Sequence, residues 1–178
     1  MAASCGCLVT ASLLAADLKP GTDSAGLARG TCLLGICVDK KGAEQALKSR
    51  LGSGAYADGG YARCFYLSAQ KLFAAAGIEP SANAGHRIDW IYVGRYAWPD
   101  CHHNQRANVP SDLLTTAEGL RIGDAEQMAM QLYQTMPGFQ IHSSGAARDV
   151  VFRPKSNLVT EIGVAAGQVV TMQVSHSK

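Results

Sequence analysis

The side chains with the greatest chemical potential in this sequence are six cysteines, Cys5, Cys7, Cys32, Cys37, Cys64 and Cys101, and five histidines. Cys64 stands out among them. It follows a glycine-rich stretch, Gly52–Gly60, and opens an apolar-periodic segment that reads as a helix, with Arg63 just before it. The positive end of a helix and a neighbouring guanidinium both favour thiolate over thiol. A thiolate nucleophile then needs an imidazole to carry protons and a polar group to hold that imidazole. His86 is the candidate base, and His102, His103 or Asn104 the candidate orienting group. Cys64, His86 and Asn104 acting together would make a papain-like cysteine hydrolase, a peptidase or amidase. The competing expectation for Cys64 is a buried or disulfide-bonded residue.

Asp100-Cys101-His102-His103 is the densest run of metal-ligand types. Zinc favours Cys and His in tetrahedral sites, but adjacent residues cannot easily all reach one ion. No CxxC pair occurs anywhere in the chain. A small metal-stabilised module around Cys101 and His103 is therefore a third reading, and no metal or cofactor is expected. An even cysteine count permits complete pairing, which would mark an oxidising compartment. Reduced, buried thiols are the alternative. There is no Walker loop, no GxGxxG after a strand and no GxSxG elbow.

Composition narrows the classes further. Charged residues are 17% of the chain, against roughly 25% in a typical soluble domain. A surface with so few charges suits a chain that covers part of itself with protein partners. The net charge is +2 and no basic run exceeds Lys40-Lys41. Nucleic-acid binders usually carry a basic stripe, so nucleic acid is not an expected partner. No stretch reaches the roughly 18 apolar residues of a membrane helix. Met1–Ala16 resembles the apolar middle of a secretory signal, with Ala15-Ala16 as a cleavage-like pair. No basic residues precede it, so a cleaved signal is not expected. Trp90, Tyr92, Tyr96 and Trp98 crowd together. Trp and Tyr suit interfaces because they bury large area with few rotatable bonds. Trp90 and Tyr92 belong to a strand and are expected in the core, which leaves Tyr96 and Trp98 as binding candidates.

These residues need elements to position them. The length of 178 residues suits a single domain, 1–178. Helical spacing predicts helices over Leu8–Leu18, Ala43–Leu51, Arg63–Ala76 and Asp124–Met136. In the third, Phe65, Ala69, Leu72, Phe73 and Ala76 form the stripe, Gly77 sits as the C-terminal cap and Pro80 stops the chain. In the fourth, Asp124 and Gln127 fit a capping box, and Met128, Leu132 and Met136 face the core. Thr31–Val38 reads as a buried strand and Ile88–Tyr96 as a strong one, followed by a polar loop, Trp98–Val109. Ser111 caps a short helix ending at Gly119. After Pro137-Gly138 the period changes to two, which predicts an antiparallel meander over Phe139–His142, Val150–Arg153, Leu158–Val164 and Val169–Val174. The fold class expected is α+β, with N-terminal and central helices packed on an antiparallel sheet formed mostly by the C-terminal strands.

Two partial resemblances accompany this reading. Leu51-Gly52, Tyr56, Gly59-Gly60, Cys64, Gly77-Ile78 and Pro80 follow an order that resembles the NlpC/P60 and related papain-like cysteine peptidases. It covers about thirty residues. Arg63-Cys64-Phe65-Tyr66 stands where that family has Asp-Cys-Ser-Gly, and His86 follows Cys64 too soon. The stretch Pro137-Gly138, Val151–Pro154 and Val169–Val174 is similar to the end of type II pseudopilins, without that family's long apolar N-terminal helix. Neither assigns a family. The function expected is a non-catalytic structural or binding subunit of an extracellular, virion or surface assembly, with protein partners or self-assembly. The cysteine hydrolase and the metal-stabilised module are the alternatives.

Overall fold

A computed structural model of the protein describes residues 30–38, 40–81 and 85–177. In chain order the elements are β1 (Cys32–Leu33), β2 (Ile36–Cys37), α1 (Ala43–Leu51), β3 (Ala55–Tyr56), β4 (Ala62–Leu67), β5 (Leu72–Ser81) and β6 (Gly85–Gly94). There follow β7 (Gln105–Ala107), a 3-10 turn (Ser111–Leu114), α2 (Glu126–Tyr133), β8 (Gln140–Ser144), β9 (Ala147–Lys155), β10 (Leu158–Ala165) and β11 (Gln168–His176). β3 to β11 form one sheet in the order β3-β4-β5-β6-β11-β10-β9-β8, all antiparallel, and β7 joins β4 in parallel.

The protein is therefore mostly β, which corrects the α+β expectation with N-terminal and central helices on a C-terminal sheet. The expected central helix Arg63–Ala76 is instead the pair β4 and β5, turning at residues 68–71. Gln70 N–H donates to Leu67 O at 3.2 Å and Lys71 takes φ 54° to close that turn. The misreading has a physical cause. Phe65 and Leu67 of β4 face one side of the sheet while Ala62 and Cys64 face the other, and all four are buried. A strand covered on both faces loses its two-residue alternation and reads as a continuous apolar run. The helix expected over Leu8–Leu18 lies outside the described residues, as do Cys5 and Cys7. Helix Ala43–Leu51 and the C-terminal meander stand where their periodicities place them.

The first face of the sheet carries the main core. Phe65, Ala74, Val93, Met172, Ile162 and Val150 stand side by side across six strands, and every one is buried. α1 and α2 contribute Leu47, Leu51, Ala129 and Tyr133 to the same cluster. The β1–β2 hairpin adds Leu33, Leu34 and Ile36 and is closed by a Cys32–Cys37 disulfide. α2 presents only part of the expected stripe: Leu132 and Met136 pack against the core, Met128 is exposed, and the fully buried positions are Ala129 and Tyr133. Its N-terminus has no side-chain cap, and Asp124 instead accepts from Arg121 N–H at 2.8 Å. Tyr133 is tolerated in the core because its hydroxyl lies 2.7 Å from both Thr116 Oγ1 and a Glu118 carboxylate oxygen. Its ring stacks on Phe152 at 4.5 Å.

Candidate recognition surface

Among the described residues, the second face of the sheet is covered over β4, β5 and β6. One cross-strand row runs Cys64, Ala75, Tyr92, Gln173, Glu161, Val151, Gln140. Its first three members are buried, while Glu161 and Gln140 are exposed. The cover is the loop after β6, residues 95–104. A disulfide between Cys64 and Cys101 pins that loop to the sheet, with both residues buried. Trp98 stacks on Trp90 at 4.4 Å and meets Tyr92 edge-on at 5.3 Å. Trp90 in turn lies over Gly77, where an added Cβ would fall 2.0 Å from the indole nitrogen. Gly77 is thus not a helix cap but the gap in β5 that the indole fills, an arrangement that packs an aromatic over a strand glycine.

Tyr92 is the titratable member of this cluster. Its hydroxyl donates to Tyr96 O at 2.9 Å. Burial, followed by the nearby Tyr96, pushes its pKa up to about 12. An unfolded tyrosine loses its proton near pH 10. The folded state therefore holds a proton that the unfolded state releases, so the contribution to stability is full below pH 10 and is lost as pH rises through about 12. Ultraviolet titration of the tyrosines is expected to show a late ionisation near pH 12 whose amplitude falls by one tyrosine in Tyr92→Phe.

Beside this cover lies the β3–β4 turn. Ala57 N–H donates to Ala62 O and Gly60 N–H to Ala57 O, at 3.0 and 2.9 Å. Gly59 and Gly60 both take positive φ, 83° and 74°, which glycine adopts without steric cost. The turn holds Tyr61 outward, where its hydroxyl donates to the Asp100 carboxylate. That hydrogen bond is the first cause of a raised Tyr61 pKa. Asp58 N–H donates to Asp100 O at 3.1 Å, and the exposed Asp58 carboxylate lies 3.4 Å from His102. On the neighbouring strands Arg63 sets its guanidinium 3.5 Å from the centre of the Tyr56 ring. Together Glu44, Tyr56, Gly59–Arg63 and Ile78 line a shallow groove of about 330 Å³. Tyr56 and Tyr61 are 60% and 45% exposed, unusually open for side chains of that size.

The residues expected to carry catalysis do not meet. Cys64 is bonded to Cys101, so it presents no thiol. His86 lies on β6 opposite Pro80, six residues before the Tyr92 that shares a row with Cys64. That places it about 20 Å along the strand. Asn104 Nδ2 donates to Cys101 O at 3.2 Å, inside its own loop. Cys101 is likewise taken from any metal site, and among the described residues no three His, Cys, Asp or Glu side chains are grouped to hold an ion. Of the two aromatics expected to bind, Tyr96 is 62% exposed, whereas Trp98 is half-buried against Trp90. Tyr56 and Tyr61 were not expected. The paired glycines between them are a reversal signal in the sequence, and they are what turns both rings outward.

Comparison with protein-family models, with curated proteins and with solved structures finds no match. No helix among the described residues is long and apolar enough to cross a membrane.

Proposed function

We propose that this protein is a non-catalytic binding or structural subunit of an extracellular, virion or surface assembly, and that it meets a protein partner through the tyrosine-bearing end of the sheet. The observation that carries the reading is the Cys64–Cys101 disulfide. It occupies the one cysteine placed to be a nucleophile, and it fixes an aromatic loop beside an exposed tyrosine turn. Disulfides persist in oxidising compartments, which supports a place outside the reducing cytosol. Tyr56, Tyr61 and Tyr96 are amphipathic, stiff side chains of the kind that anchor protein interfaces. The Gly-Gly turn and the disulfide restrain the surrounding backbone before any partner arrives, which lowers the entropy lost on binding.

The test places a photo-crosslinking phenylalanine derivative at position 61 and, as control, at the exposed Thr135 of the opposite layer. In the oxidising medium where the protein resides, irradiation is expected to give one discrete protein adduct from position 61 and none from position 135. A free thiol at Cys64, together with a hydrolytic activity abolished by Cys64→Ala, would overturn the reading.

A further inference from the structure

The sheet ends differently at its two edges. At one end β4 is bordered by β3 and β7, of two and three residues, too short to template another strand. At the other end stands β8, five residues long, every one exposed, with its outer backbone edge unpaired by any strand among the described residues. Proteins usually guard such an edge with a lysine, a proline, a bulge or an inward charge. Gln140-Ile141-His142-Ser143-Ser144 has no Lys, Arg, Asp, Glu or Pro, and its pairing with β9 runs without a register shift. The nearest charge on its core-side face is Arg148, which is neutralised within the chain by Glu126 at 2.8 Å.

The core row described above also points outward here. It passes from Val150 to Ile141, its next neighbour on β8. Val150 is fully buried and Ile141 is 43% exposed, so the apolar row reaches the edge and stops uncovered.

We propose that β8 is a self-association edge, on which a second copy of this chain pairs its own β8 antiparallel and joins the two sheets into one. The strand is self-complementary. A two-fold arrangement that pairs all five residues must centre on His142, setting Gln140 opposite Ser144 and Ile141 opposite Ser143. The two Ile141 side chains then lie diagonally across the new seam, on the core face, within reach of one another. No charge opposes a like charge among the strand's non-titrating residues. On the other face each His142 stands opposite Asp149 of its own chain, with Glu161 also near. Those carboxylates face a second imidazole without repelling it. Backbone hydrogen bonds supply most of the affinity, as in other strand additions. Five paired residues fall short of the roughly 1,000 Å² of a durable interface, so the association is weak and concentration-dependent. The surface is separate from the tyrosine-bearing end, and either can fail without the other.

The test is sedimentation of the full chain over a wide concentration series. The mean mass is expected to rise from one chain toward two, with new hydrogen-exchange protection confined to residues 140–144. His142→Lys sets two lysines against each other on the two-fold axis, and His142→Glu sets two carboxylates there. Each alone is expected to weaken association roughly fivefold or more. An equal mixture of the two variants should restore it, because Lys then meets Glu. His142 is exposed, so both variants should fold; His142→Lys keeps a thermal midpoint close to that of the parent, and His142→Glu, which stands opposite Asp149 of its own chain, lowers it by a few degrees without loss of the fold. A single-chain mass at every concentration would overturn the proposal. So would association unaffected by both variants, or a mixture that fails to restore it.

Discussion

Replacing Cys64 and Cys101 together by alanine is expected to destabilise the fold by about 4 kcal/mol, the loop-closure entropy for a bond of this span. The two residues are 37 apart in sequence, and the closed loop contains β5, β6 and the aromatic cover. In the unfolded chain the bond restricts all of that segment, so its loss frees the unfolded state more than it disturbs the native one. For a chain of this length the thermal midpoint should fall by roughly 10 °C. A spectroscopic change should accompany the fall. Trp98 is held against Trp90 by the loop that ends at Cys101, and without the bond the loop lifts and both indoles meet water. Tryptophan emission should therefore shift to the red in the native baseline, before unfolding begins. An unshifted midpoint with unchanged emission would mean that the loop is held by packing alone. The double replacement is the informative one, because a single replacement leaves an odd buried thiol.

Phe152→Ala is the second large effect, expected at about 3–5 kcal/mol, the range for removing a fully buried aromatic. Phe152 sits on β9 and is fully buried, stacked on Tyr133 of α2 at 4.5 Å with 18° between the rings. On its other side the ring fills the space left by Gly30, where an added Cβ would come within 2.5 Å of it. Three elements distant in sequence thus meet at one ring. The surroundings cannot collapse easily, because Tyr133 is fixed by Thr116 and Glu118, and Glu118 also accepts from Gly30 N–H at 2.9 Å. Denaturant unfolding should show a lower midpoint at unchanged slope, and hydrogen exchange should speed first in α2. Phe152→Leu keeps most of the volume and should cost less than half as much. Equal losses from both would show that the cavity is not what matters.

The sequence by itself determined the elements whose apolar pattern has one period and one buried face. α1 begins and ends where Ala43, Leu47 and Leu51 place it, because only one side of that helix meets the core. β9 to β11 alternate because their outer face is less covered than their core face, and two of the three turns in the meander place a glycine at positive φ, Gly145 and Gly167. What only the tertiary structure decided is the layer on the far side of β4 to β6. Cys64, Ala75 and Tyr92 are buried there by the loop after β6, whose Cys101 lies 37 residues beyond Cys64, and Trp98 is drawn in with it. Burial on both sides erased the alternation of β4 and β5, so local periodicity favoured a helix that does not exist. The same distance hid the pairing of Cys64 with Cys101. A residue opening a helix would have carried an activated thiol, whereas the same residue in mid-sheet, facing a loop at bonding distance, carries a cross-link. The chemistry of that cysteine follows from which segment folds over it, and no short-range pattern encodes that.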